Sequence, residues 1–157
     1  MLHEKRVTMK KNNLSKLEKK LGYKFTNKHL LTTALTHKTY AFEAQTPLEY
    51  NERLEFLGDS ILNFVISEQL YQTNIYFSEG ELTRRRANMV NNNMLADVAM
   101  DLNIGPFLLM GKGELKQQGS KNRTNLANAL EALIGAIYLD SDLETVQSFI
   151  FRIIKKK

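Results

Sequence analysis

Cysteine is absent from the 157-residue sequence, which excludes a disulfide framework, a thiol nucleophile and zinc sites built from cysteine. No apolar run approaches the length that spans a bilayer, and the basic N-terminus, residues 1–11, lacks the apolar centre of a signal peptide. A cytoplasmic protein is therefore the expectation. Proline occurs only at Pro47 and Pro106, and alternating β-branched residues are scarce, so the pattern predicts an all-α fold.

The length fits one domain, and an apolar content of 43% is enough to build a buried core. We predict a leader over residues 1–12 and a single helical domain over residues 13–157. The net charge of +5 suits a polyanionic partner, although each basic stretch taken singly is typical of a solvated surface. The basic stretches of the middle third contain Arg84, Arg85, Arg86, Lys112, Lys116, Lys121 and Arg123.

Capping signals divide the sequence into helices. Ser15–Glu18 and Ser78–Glu81 have the form of capping boxes, and Asn27 is a candidate cap for a helix that runs through Thr39. We further predict an acidic helix over about 50–70, a loop over 104–118, an extended piece at 107–109, and an apolar helix over 126–139. His37 is expected to pack or cap locally.

The acidic helix carries three carboxylates on one face. At about 100° of rotation per residue, Glu52, Glu55 and Asp59 fall within a narrow arc, while apolar residues occupy another face. Like charges this close raise one another's pKa, and a cation among them relieves the repulsion. Oxygen ligands at this spacing suit a hard divalent ion, Mg²⁺ or Mn²⁺.

The apolar helix over 126–139 contains two strongly polar side chains, Asn128 and Glu131, which lie one turn apart. A carboxylate in so apolar a helix needs a partner. A shared metal ion would supply it, which predicts a four-ligand site of Glu55, Asp59, Asn128 and Glu131. The alternative is that Glu131 pairs with Arg53 or a lysine and that the acidic face simply meets solvent.

Several motifs in order resemble the ribonuclease III family of double-stranded-RNA endonucleases. The longest is NERLEFLGDSIL at 51–62. The others are ALTHKTY at 34–40, EGELTRRRANMV at 79–90, GKGE at 111–114 and LANALEALIGAIYLD at 126–140. The resemblance covers residues 14–157, and several ordered motifs are far more specific than any one of them.

The resemblance implies an all-α catalytic domain that forms a two-fold dimer, binds duplex RNA in a valley, and cuts it to leave 5′-phosphate and 3′-hydroxyl ends. It implies metal binding by Glu55 and Glu131, and catalysis by Asp59 and Glu131. Glu52 and Glu79 match acids that line the valley. Phe56 matches an aromatic residue that inserts into the partner subunit, with plain core packing as the alternative.

RNA-backbone contacts are expected from exposed cations of the two basic stretches, because duplex RNA is recognised largely by shape and phosphate contacts. The candidates are Arg84, Arg86, Lys112, Lys116, Lys121 and Arg123.

Asn128 departs from the family pattern, in which aspartate is common at this position. An amide oxygen still coordinates Mg²⁺ but adds no negative charge, so metal affinity should fall. Many bacterial relatives also continue into a double-stranded-RNA-binding domain, which this sequence does not include; either a truncated or a minimal protein would account for that.

Three functions follow. The first is a Mg²⁺-dependent endoribonuclease acting on duplex RNA such as ribosomal RNA precursors. The second is an impaired family member that binds duplex RNA without efficient cleavage, as Asn128 would favour. The third is a basic helical scaffold that binds RNA or ribosomal protein through 84–86.

Overall fold

The computed structural model describes residues 14–154, and within that range the chain is helical. The predicted leader lies outside the described residues. The helices are α1 (14–21), α2 (Lys28–Leu35), α3 (Lys38–Phe42), α4 (Glu52–Thr73), α5 (Glu79–Val90), α6 (Asn92–Asp101), α7 (Lys112–Lys116), α8 (Arg123–Asp140) and α9 (Leu143–Ile154). Short 3₁₀ turns occupy Gly105–Phe107 and Gly119–Lys121. The described residues form no β-strand, so the all-α prediction is confirmed.

Helix α8 lies at the centre of the fold and packs against α2, α4, α6 and α9. Its apolar side chains are buried on nearly every side, as expected for a helix without a long polar face. Leu130, Leu133, Ile134 and Ile137 are all fully buried. None of the helices in residues 14–154 is both long enough and apolar enough to cross a membrane.

Two predicted helix boundaries were wrong. Ser15 does not start a helix, because it already lies within α1. The helix capped by Asn27 ends at Leu35 rather than continuing to Thr39, and a new helix, α3, begins after His37. The His37 side chain accepts a hydrogen bond from the Thr39 amide, so its predicted role as a local cap is confirmed.

The residues between α2 and α3 form backbone hydrogen bonds with the loop that follows α6. The extended piece predicted at 107–109 reduces to a single bridge, in which the Leu109 amide donates to Leu35 and the His37 amide donates to Leu109. The Lys112 amide, at the start of α7, donates to the Glu43 carboxylate at 2.9 Å. The loop predicted over 104–118 is therefore partly helical and is tied to α3.

Glycines allow the backbones of α4 and α8 to approach closely. A Cβ atom on Gly58 would lie 1.7 Å from the Glu131 carbonyl oxygen, and one on Gly135 would lie 2.4 Å from the Leu54 carbonyl oxygen. Both distances are far below the 3.0 Å limit of real contacts, so no residue larger than glycine fits this crossing unless the helices move apart.

We expect Gly58→Ala to lower the free energy of unfolding by about 2 kcal/mol or more, because an added methyl group in a closed contact costs about 1–3 kcal/mol. Gly80→Ala is the matched control, since nothing lies within 4 Å of its Cβ position in α5. Chemical denaturation measures both variants. Equal stability of Gly58→Ala and wild type would contradict the close crossing.

Candidate active site

The close crossing brings the acids of α4 beside the acid of α8. Glu131 is partly buried, and burial, followed by the charges of Asp59 and Glu55, raises its pKa to about 7. The pKa of Glu55 is raised in turn by burial, by Glu52 and by Asp59, with Lys38 opposing the shift. The fold thus brings acids from two separate parts of the sequence close enough for their charges to interact.

Within residues 14–154, no ion pair involves Glu55, Asp59 or Glu131. The alternative in which Glu131 pairs with Arg53 or a lysine is therefore not realised in that range. Arg53 instead lines a groove beside Phe56. Among the described side chains, Lys38 partly offsets the repulsion at Glu55, but no cation lowers the pKa of Glu131.

The fourth predicted ligand, Asn128, lies on α8 one turn before Glu131 and is partly buried. Its amide makes no hydrogen bond within the described residues. Counting only histidine, cysteine, aspartate and glutamate, no three side chains in this part of the chain converge closely enough to hold a metal ion. The oxygen atoms of these four side chains nevertheless suit Mg²⁺, which binds carboxylate and amide oxygens.

Two residues that the sequence reasoning missed contact the acids. Lys38, at the start of α3, forms an ion pair with Glu52 at 3.0 Å, and Glu52 raises the pKa of Lys38. Asn63 donates from Nδ2 to Oδ1 of Asp59 at 2.8 Å. The four-residue spacing from Asp59 to Asn63 was a usable signal. Nothing local predicts the approach of Lys38, which depends on how α3 packs.

Glu79 lies apart from this acid cluster. It is the first residue of α5, is exposed, and accepts a hydrogen bond from Thr83 at 2.8 Å. It lines a second groove between α4 and α5 with Phe64, Tyr71 and Arg86. The described subunit therefore does not bring Glu79 together with Glu55, Asp59 and Glu131.

The predicted RNA-binding cations fall into two groups. Arg86 donates to Ser67 Oγ at 2.9 Å, and Arg123 forms an ion pair with Asp97 at 2.7 Å, so both hold neighbouring helices together. The other candidates are exposed and form no ion pair within the described chain; they are Arg84, Lys112, Lys116 and Lys121.

Phe56 projects into solvent with 78% of its surface exposed, so core packing within the subunit is excluded. It stands at the rim of an apolar groove of about 830 Å³. The groove is also lined by Leu30, Leu48, Tyr50, Leu57 and Leu139.

A family model described as ribonuclease-III-like matches residues 27–157. The chain belongs to the ribonuclease III family. The matched range contains α4 and α8, which carry the acids, so the family resemblance found in the sequence motifs is confirmed.

Individual members of the family are similar over most of the chain. Ribonuclease 3 of Buchnera aphidicola is 48% identical over 142 residues, which cover 90% of this chain and 60% of that protein. Ribonuclease 3 of Carboxydothermus hydrogenoformans is 47% identical over 95% of this chain and 64% of that protein. The chain thus spans about three fifths of the length of these relatives.

The fold has a close match among solved structures. The nuclease domain of ribonuclease III from Campylobacter jejuni superposes with a TM-score of 0.84 and 41% identity, covering 90% of this chain and 95% of that one. That structure is described as flexible in a region involved in dimer formation.

The raised pKa of Glu131 links stability to pH. Between the ordinary value of 4.5 and about 7, the folded protein holds a proton that the unfolded chain has released, so the free energy of unfolding falls as the pH rises. Without metal, we therefore expect Glu131→Gln to melt at a higher temperature than wild type at pH 8, and this advantage to vanish below pH 4.5.

Glu144→Gln is the control, because Glu144 is exposed and lies in the first turn of α9, where a negative charge is favourable. Thermal melts of both variants and wild type across this pH range measure the effect. A Glu131→Gln protein that is less stable than wild type at pH 8 would show that the carboxylate is not strained.

Proposed function

We propose that this chain is the catalytic domain of a metal-dependent endoribonuclease that cleaves double-stranded RNA. One observation carries the proposal: the Glu131 carboxyl is partly buried beside Asp59 and Glu55, and none of the described side chains compensates this charge. A structural role alone would favour a neutral residue here, whereas a cation site requires uncompensated acids. Family membership supports the same activity.

Glu55, Asp59, Glu131 and the Asn128 amide oxygen are the side chains that would hold Mg²⁺, with Mn²⁺ as a substitute ion. When bound, Mg²⁺ activates water and offsets charge on the phosphate undergoing hydrolysis. The partly buried Glu131 would hold the ion from the α8 side of the site, opposite Glu55 and Asp59 of α4. Asp59, which is more exposed, orients the attacking water, and the products carry 5′-phosphate and 3′-hydroxyl ends.

The exposed cations supply contacts with the RNA backbone. Lys112, Lys116 and Lys121 lie on one segment that the α3 contacts hold in place, and Arg84 lies on α5. Such contacts are largely independent of sequence, which suits duplex RNA that is recognised by shape. Structured RNAs such as ribosomal and messenger RNA precursors in the cytoplasm are the substrates we propose.

We also propose that the domain works as a homodimer in which Phe56 is a contact with a second copy. Phe56 is 78% exposed, and together with the exposed Leu48 and Leu139 of the adjoining groove it forms a contiguous apolar patch of the kind that marks a protein–protein contact. The dimer-forming region described for the Campylobacter jejuni domain supports this proposal.

A second function is favoured by one residue. Asn128 provides an oxygen ligand without a negative charge, so the site holds three acids rather than four. This would lower metal affinity, and a protein with this site would bind duplex RNA with little cleavage at ordinary Mg²⁺ concentrations.

A cleavage assay separates the two functions. We expect the wild type to cut labelled duplex RNA but not single-stranded RNA. The assay contains Mg²⁺ at about 10 mM, a concentration chosen to occupy a site that holds the ion weakly. Glu131→Gln should lose at least about 100-fold in rate, because it removes an anionic side chain that would hold the ion, and loss of residues that merely support such ligands already costs about 10–100-fold. It should retain duplex binding in a gel-shift assay.

Asn128→Asp completes that experiment. If the proposed endonuclease is right, this variant should cut at lower Mg²⁺ concentration than wild type, because a carboxylate binds the ion more tightly. An inactive wild type whose activity appears only with Asn128→Asp would instead establish the binding function. Absence of cleavage and of duplex binding in every variant would leave the scaffold interpretation.

The dimer is tested by Phe56→Ala. We expect it to weaken association by at least about tenfold, since a buried aromatic anchor contributes about 2 kcal/mol or more to an interface. Sedimentation equilibrium measures the change, with Tyr76→Ala as the control, because Tyr76 is an exposed aromatic residue in the turn between α4 and α5. Stability of the folded subunit should not fall, because Phe56 is exposed there; a monomeric wild type would contradict the proposal.

A further inference from the structure

The side-chain amide nitrogen of Asn63 makes two hydrogen bonds, and both go to the same residue, Asp59. Its Nδ2 donates to Asp59 Oδ1 at 2.8 Å and to the Asp59 backbone oxygen at 2.9 Å. The other carboxylate oxygen, Oδ2, receives no hydrogen bond from the described residues. The amide therefore fixes one oxygen of Asp59 and leaves the other open.

The position of Asn63 puts it on the acid face of α4. Four residues separate Asp59 from Asn63, so the two side chains stack along the same stripe of the helix that carries Glu52 and Glu55. Across the helix crossing, the charge of Asp59 raises the pKa of Glu131 more than the charge of Glu55 does. Rotation of the Asp59 carboxylate would therefore change the geometry of the whole cluster.

Helix stability does not explain the choice of asparagine. Asparagine is a poor residue for a helix interior, and position 63 lies in the middle of a 22-residue helix. Bonds to the preceding turn are common on α4, as Ser60 donates to the Phe56 carbonyl oxygen and Ser67 to that of Asn63. The bond that distinguishes Asn63 is the one to the Asp59 carboxylate.

We infer that Asn63 is a positioning residue of the proposed site, which holds the Asp59 carboxylate in the orientation needed for metal and water. The inference rests on the proposed function and adds a residue to it. Because Asn63 acts through Asp59, its loss should weaken metal use without changing how tightly the domain binds RNA.

Four variants test this inference. Asn63→Ala removes both hydrogen bonds, and Asn63→Ser keeps a donor for the backbone oxygen but is too short for the carboxylate. Asn63→Gln retains an amide within reach of Asp59. Asn88→Ala is the matched control, since Asn88 is an exposed helical asparagine on α5, away from the acids.

Two measurements are made on each protein: Mn²⁺ binding by isothermal titration calorimetry, and duplex cleavage as a function of Mg²⁺. We expect Asn63→Ala and Asn63→Ser to bind Mn²⁺ about tenfold more weakly and to need about tenfold more Mg²⁺, at the low end of the effect of such supporting contacts. Asn63→Gln should stay within about twofold of wild type, and Asn88→Ala should match it. KM for duplex RNA, taken from the same cleavage assays, should stay at the wild-type value in all of them, and the melting temperature, recorded as a folding control, should not fall.

The inference is overturned if Asn63→Ala matches wild type in both measurements, or if Asn63→Ser does so while Asn63→Ala is impaired, because then only the backbone bond matters. A wild type that binds no Mn²⁺ would overturn the proposed function and this inference with it. A wild type that binds Mn²⁺ and cuts duplex RNA, beside an unimpaired Asn63→Ala, would overturn the inference alone.

Discussion

The contact between the backbones of α4 and α8 at Gly58 and Gly135 determines the rest of the site. Without side chains at these two positions, the helices approach until peptide groups nearly touch. That approach places a partly buried carboxyl of α8 beside two carboxyls of α4 and raises the pKa of Glu131. The folded chain thus holds an unfavourable charge arrangement that its helix packing enforces, which is the usual physical state of a functional site.

The surrounding helices hold this crossing in place. Helix α8 is buried on nearly all sides by α2, α6 and α9, so it does not move away from α4 to relieve the repulsion. Contacts at the periphery then order the basic surface, since Glu43 binds the start of α7 and the Arg123–Asp97 ion pair joins α8 to α6. A rigid interior with charged, solvated cations around it is a suitable support for a polyanionic substrate.

Much of this was predictable because helices impose a strict period on the sequence. The spacing of Glu52, Glu55 and Asp59 predicted one acid face, the interrupted apolar pattern of α8 pointed to Asn128 and Glu131, and Ser78 and Glu81 form the capping box that was predicted. These features depend on residues within a few positions of one another. The sequence did not decide whether Phe56 packs in the core of its own subunit or faces outward toward a partner, because its spacing on α4 fits either position.

The features that the sequence did not predict depend on contacts between distant segments. Gly58 looks like an ordinary helical glycine until α8 is placed against it, and Lys38 forms its ion pair with Glu52 from a separate helix, α3. The break between α2 and α3 contains the bridge between Thr36 and Leu109, which lie 73 residues apart. Arg86 and Arg123 were grouped with the RNA-binding cations, and their protein partners, Ser67 and Asp97, became evident only in the fold.

The most direct test of the account is a pH titration of the Glu131 side-chain carboxyl by ¹³C NMR, with and without Mg²⁺. The account predicts a pKa of about 7 in the metal-free domain, and a lower pKa once Mg²⁺ is present, because a bound cation favours the ionised form. A Glu131 carboxyl that titrates near 4.5 and ignores Mg²⁺ would contradict the claim that two helices bring their acids together around one ion.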